Sequence, residues 1–221
     1  MLWFIDFDDT LAVGPFTWAF EHVIPQVVRE HNLPYDEAQF NRAALEAQRR
    51  VDDSVDDDSM IEGFFKAVGW PSMLKDQFLD AIFNGYRPAL FDDTQAFLDQ
   101  LVRTSQAVYL LTNNNRAPAV AKLLGIGHYF AAMLTPEACG GLPGKPHRAL
   151  WDYAATRFSL NDSGEVHIVG DDPWSDGEFA DTCHMTCWLV DRLNRYKEVC
   201  ARRSYRWVQS LSEVTRFLRT L

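Results

Sequence analysis

Five short apolar runs, each giving way to polar or acidic residues, set the terms for this chain. Residues 1–7, 107–111 and 166–169 are the clearest, with 187–190 close behind and a weaker run over 129–134. Runs this short, without polar alternation, are the pattern of strands buried on both faces. Stretches with apolar residues three and four apart lie between them, at 92–104, 117–124, 148–158 and 174–182. A closing amphipathic helix is expected over 212–221, with Ser212 as its N-cap. Strands alternating with helices predict an α/β fold, a Rossmann-like parallel sheet with helices on both faces. Hydrophobic residues, 47% of 221, suffice for that interior.

One region breaks the alternation. From 16 to 88 no strand pattern appears. Helical spacing dominates instead, at 16–31, 35–51, 59–68 and 72–86, with turn signals at Asn32-Leu33-Pro34 and Gly69-Trp70-Pro71. The expected organisation is a core domain of residues 1–15 and 89–221 and an inserted helical domain of residues 16–88.

The formal net charge of −10 argues against a nucleic-acid polymer or an anionic membrane as partner, since both need a basic face. A small phosphorylated molecule stays possible, because a bound divalent cation reverses the local sign. The acids Asp52, Asp53, Asp56, Asp57 and Asp58 read as a solvated loop. They lack the glycine and terminal glutamate of a calcium loop. No apolar run reaches the ~20 residues needed to span a bilayer, and residues 2–7 are too short and too acid-flanked for a signal peptide. The expected setting is cytoplasmic, with Cys139, Cys183, Cys187 and Cys200 reduced. Cys183 and Cys187 lack a second ligand pair at zinc spacing and read as buried thiols entering a strand.

Four segments carry chemistry. In an open parallel sheet, ligands bind at the carboxyl ends of the strands. Asp6 and Asp8 follow the first run two residues apart, so on an extended chain both point to one side. Crowded carboxylates need a cation or a shared proton. An acidic turn or helix cap is the alternative. Thr112 and Asn113 end the second strong run and offer neutral donors suited to phosphate oxygens, although Asn113-Asn114-Asn115 also makes a good turn. Lys145 follows a shaped Gly/Pro loop and precedes a helix, where it can neutralise a phosphate or lie in solvent. Asp171, Asp172 and Asp176 follow the third, with Gly170 read as easing a tight turn. Oxygen ligation of this kind suits Mg²⁺, and capping is the alternative for Asp172.

These segments, in this order, resemble the motifs of the haloacid dehalogenase-like (HAD) superfamily. Its Asp-x-Asp-x-Thr motif is matched by Asp6-Phe7-Asp8-Asp9-Thr10, its Thr at a strand end by Thr112, its lysine by Lys145, and its Gly-Asp with a second acid by Gly170-Asp171 and Asp176. The helical insert resembles a C1 cap. Asp9 stands where the family often has glycine, and His184 where a small residue is frequent. The resemblance implies that Asp6 attacks phosphorus and forms an aspartyl-phosphate, and that Asp8 acts as acid and then base. It implies Mg²⁺ on Asp6, the Asp8 carbonyl and Asp171. Thr112 and Lys145 would bind the transferring group, with an added contact from Asn113. Asp176 or Asp172 would orient Lys145 or the metal's waters. Trp174 is expected to narrow the site mouth.

The implied activity is Mg²⁺-dependent hydrolysis of a small phosphorylated metabolite of the phosphoglycolate, sugar phosphate or nucleoside monophosphate type. A dehalogenase would need neither Asp8 nor Asp171. A phosphomutase uses the same residues, and a phospho-ligand binding protein would have no need to keep them all. Within the cap, Phe16, Trp18, Phe20, Phe64 and Phe65 read as core before contact, and Arg49 and Arg50 as partners of the acidic run.

Overall fold

A computed structural model describes residues 1–40, 42–43, 57–105, 107–160 and 165–220, with side chains omitted at 16 and 57–60. Arg49, Arg50, Asp52, Asp53 and Asp56 lie outside the described residues. The chain divides into two compact units, one of Met1–Val13 with Pro88–Leu221, the other Gly14–Arg87.

The first strand, β1 (Leu2–Ile5), is buried along its whole length. The unit that follows it is helical. It contains α1 (Pro15–Trp18), a π-helical turn Ala19–Val23, α2 (Ile24–His31), α3 (Asp57–Val68), a 3₁₀ turn Ser72–Leu74 and α4 (Lys75–Gly85). Pro25 sits in the first turn of α2, where its missing N–H costs nothing, and Asn32 ends the helix in a left-handed conformation. Asp57 and Asp58 open α3, so the expected acidic loop gives way to helix two residues before the apolar pattern starts. The interior of this unit is aromatic. Phe64 and Phe65 are buried beside Phe40, Trp70 and Phe78, mostly in edge-to-face pairs. Trp18 and Phe20 pack against the same core.

The other unit holds the sheet. After β1 come α5 (Thr94–Thr104), β2 (Ala107–Leu111), α6 (Ala117–Leu123), β3 (Ala132–Leu134), α7 (Ala149–Phe158), β4 (Val166–Gly170), α8 (Glu178–Cys183), β5 (Thr186–Val190), α9 (Lys197–Arg203), β6 (Arg206–Val208) and α10 (Leu211–Leu218). The six strands run parallel in the order β3-β2-β1-β4-β5-β6. Chain order reverses at β1, and such a switch point is where an open α/β sheet presents its ligand crevice.

Alternation along β1 assigns the two faces. Trp3 and Ile5 join the core shared with Phe97, Leu98 and Leu101 of α5 and Val214 and Leu218 of α10. Phe4 points the other way, against Tyr109 and Trp151 of α7. Two boundaries differ from expectation. The closing helix begins at Leu211 after Ser210, and its first N–H is capped from elsewhere in the chain, by Asp93 Oδ2 at 2.8 Å. The segment before α8 is a π-helical turn, Pro173–Gly177, capped by Asp172. Among the described residues no helix is long and apolar enough to cross a membrane. All four cysteines are buried and free.

Candidate active site

Ile5 pairs with Leu110 on one side and with Val169 on the other. The residues just beyond, Asp6, Thr112 and Asp171, therefore leave three adjacent strands at nearly the same level. All three are buried, as are Lys145 and Asp176. Asp8 is partly buried.

Lys145 lies at the centre of these groups. Its Nζ donates to Asp6 Oδ1 at 2.6 Å and to Asp176 Oδ1. Burial by itself would drain charge from this amine, but Asp176 and Asp6 outweigh it and hold the ammonium firmly protonated. The lysine's backbone is held as well. Asn113 Oδ1 accepts from Lys145 N–H at 2.7 Å while Asn113 Nδ2 donates to the Lys145 carbonyl at 2.8 Å. Both ends of that amide thus hold the lysine loop, with the backbone N–H and the second amide N–H of Asn113 as the donors for the ligand contact expected of it. Gly144 precedes the lysine because a Cβ there would collide with Asn113 Oδ1. Thr112 Oγ1 accepts from Asn114 N–H at 3.2 Å, which anchors the oxygen and leaves the hydroxyl proton to donate.

The acids after β4 divide their work. Asp172 accepts from the Trp174 and Ser175 N–H groups and caps the turn. Asp176, not Asp172, reaches Lys145, and its other oxygen accepts from Asp172 N–H at 3.1 Å. Gly170 serves this packing and not a tight turn: it closes a regular strand, and a Cβ on it would overlap the Asp176 carboxyl. Trp174 stands edge-on to Tyr196, with ring centroids 5.6 Å apart.

Asp171 accepts from Thr10 Oγ1 at 3.4 Å. Burial, then the charges of Asp9, Asp6, Asp176 and Asp172, push its pKa well above the usual carboxylate range. Asp8 is raised to about 7 by burial and by Asp6, against a hydrogen bond from Asn114 that works the other way. Asp9 adopts φ +54°, which explains why glycine suits that position in related motifs. His184 likewise takes a left-handed cap, after α8.

Carboxylate oxygens of Asp6, Asp171 and Asp176 lie within 4.8 Å of one another. Three hard oxygen donors with a single ammonium among them, Lys145, fit a divalent cation such as Mg²⁺ better than a soft metal. The triad differs from the expected ligand set in containing Asp176, which Lys145 already engages.

The sequence profile of haloacid dehalogenase-like hydrolases matches residues 2–183. The chain belongs to this family. As a HAD-like hydrolase it is an enzyme, and its sheet is the family's. Among solved structures it is similar to YfnB from Bacillus subtilis, described as a HAD hydrolase and bound to magnesium (17% identity, TM-score 0.70, covering 98% of this chain and 97% of that one). A HAD phosphatase from Thermococcus onnurineus is similar at 21% identity and a TM-score of 0.59, covering 98% and 97%. So is a 2-haloacid dehalogenase from Pseudomonas syringae pv. Tomato, at 22% and 0.58, covering 99% and 98%. At these identities the likeness speaks for the fold alone. No functionally curated protein matches the sequence.

Two groups in the site escaped sequence reasoning in their roles. Asn114 was visible only as part of a turn, yet its amide meets Asp8. Thr10, the last residue of the first motif, meets Asp171.

Proposed function

We propose that this HAD-like hydrolase is a Mg²⁺-dependent phosphatase acting on a small phosphorylated metabolite through an aspartyl-phosphate on Asp6. The observation that carries the reading is Asp8, a carboxyl beside Asp6 whose pKa of about 7 lets it hold a proton near neutrality. A departing alkoxide needs that proton, and a departing halide does not.

In this reading an Asp6 carboxylate oxygen attacks phosphorus. The bond from phosphorus to the ester oxygen breaks, and Asp8 gives its proton to that oxygen. Asp8, now ionised, takes a proton from water as the water attacks the phosphorus of the intermediate. Inorganic phosphate leaves and Asp6 is restored. Thr112 and the Lys145 ammonium bind the phosphoryl oxygens, and Asp176 fixes the lysine. Mg²⁺ would be held by Asp6, Asp171 and the Asp8 carbonyl, and when bound would screen the anionic nucleophile from the anionic substrate. The helical unit reads as a C1-type cap because it enters the chain between the first and second strands. Four free thiols are in keeping with a cytoplasmic setting.

Phosphate release from a panel of phosphoglycolate, sugar phosphates, nucleoside monophosphates and an aryl phosphate, with Mg²⁺ and with EDTA, tests the proposal. Release that EDTA stops, and that Asp6→Asn and Asp8→Asn each lower by at least about 10³-fold, is the expected result. Halide release from a haloacid without phosphate release would identify a dehalogenase. Isomerised product without free phosphate would identify a mutase.

A further inference from the structure

The amide of Asn114 has one possible orientation. Its Oδ1 accepts from the Arg116 backbone N–H at 2.9 Å, and its Nδ2 donates to Asp8 Oδ2 at 2.7 Å. A backbone N–H can only donate, so the amide oxygen must face Arg116 and the NH₂ must face Asp8. The Asn114 N–H, bonded to Thr112 Oγ1, fixes the main chain beneath this amide. An NH₂ group offers no lone pair. Asp8 Oδ2 is therefore the accepting oxygen, and because the carbonyl oxygen of a carboxylic acid accepts better than its hydroxyl oxygen, the contact favours Oδ1 as the oxygen that carries the acid function.

We propose that Asn114 is a positioning residue that occupies Oδ2 of Asp8 and holds the plane of its carboxyl, so that one fixed oxygen, Oδ1, faces the leaving group. This rests on the reading of Asp8 as the general acid. Without the amide, the carboxyl is free to turn about its Cβ–Cγ bond and either oxygen can face the leaving group. Pre-set direction is what makes a general acid effective, since small misplacements of a reacting group cost heavily.

The consequence depends on the leaving group. An alkyl phosphate releases a strongly basic alkoxide and needs the proton. A nitrophenyl phosphate releases a stable phenolate and scarcely needs it. Asn114→Leu keeps the side chain's size and removes the donor to Asp8 without setting a second carboxylate against it. Asn114→Ala removes the donor and the size together. The measurement is kcat/KM at saturating Mg²⁺ for one turned-over alkyl phosphate and for p-nitrophenyl phosphate, because this ratio reports the steps through leaving-group departure. Both variants are expected to lose about 10–100-fold on the alkyl phosphate and no more than about 3-fold on the aryl one. Equal losses on the two substrates, or an Asn114→Leu variant that matches wild type on both, would overturn the inference and leave the phosphatase reading standing. Failure of the wild-type protein to release phosphate from either substrate would overturn both.

Discussion

Gly170 and Asp176 show how finely single atoms set this site. The Asp176 carboxyl folds under the end of β4 into the space a Cβ on Gly170 would take, and from there it reaches Lys145. Gly170→Ala must displace that carboxyl. The lysine then keeps Asp6 as its only carboxylate partner and loses its fixed position. Overpacking of this kind costs about 1–3 kcal/mol of stability. The expected result is a lower unfolding midpoint together with a fall in turnover of about 10-fold or more, read by thermal denaturation and phosphate release. A Gly170→Ala variant with wild-type turnover would show that the Asp176–Lys145 contact does not serve the reaction. The same scale explains the Asn113–Lys145 clamp: the amide spans both polar groups of the Lys145 backbone, and only a glycine before the lysine allows that approach.

Among elements, the least expected device is the joint around Asp93. This residue immediately precedes α5. Its carboxylate accepts from two nitrogens of Arg192, just past β5, and from the first N–H of α10. Arg192 also donates to the Thr10 carbonyl at 2.9 Å and lies 3.7 Å over the Phe91 ring. One ion pair thus ties the loop after β1, the start of α5, the end of β5 and the start of α10. Both side chains are mostly withdrawn from solvent, so removing one partner strands the other. Asp93→Ala is expected to cost about 2–4 kcal/mol in denaturant unfolding, well beyond the 0–1 kcal/mol of an exposed pair. A loss under about 1 kcal/mol would mean that water replaces the carboxylate without penalty. Because Thr10 in turn donates to Asp171, the joint also supports the loop that carries the acids.

For the molecule as a whole, His167 ties stability to pH. Its ring is fully buried in β4, stacked on Trp3 with centroids 4.1 Å apart, and its Nδ1 accepts from Trp188 Nε1 at 3.4 Å. Burial lowers its pKa to about 4. Glu165 opposes that shift, and Arg206 and the N-terminal amine add to it. The folded state therefore keeps the ring neutral, while the unfolded chain takes up a proton near the ordinary value of 6.5. The contribution to stability is complete above that value and declines as the pH falls towards 4, by up to about 1.4 kcal/mol per unit. His167→Phe is expected to flatten this acid limb in denaturant titrations between pH 7 and 4.5. A limb of unchanged slope would place the sensitivity in other groups.

The sequence by itself determined the parallel α/β core, the helical interruption, the strand-end positions of Asp6, Thr112 and Asp171, and the place of Lys145 in the loop before a helix. Burial on both faces leaves a continuous apolar run, amphipathic helices leave a period near 3.6, and chemistry at strand ends leaves polar residues directly after each run. All three are local signals. Tertiary structure alone decided that Asp176 and not Asp172 meets Lys145, that Asn113 and Asn114 serve Lys145 and Asp8, and that Asp93 caps a helix 118 residues away. A side chain's hydrogen-bond partner depends on which loops the sheet order makes neighbours. Residues distant in the chain meet only because β1 lies between β2 and β4, and no window of local sequence contains that placement.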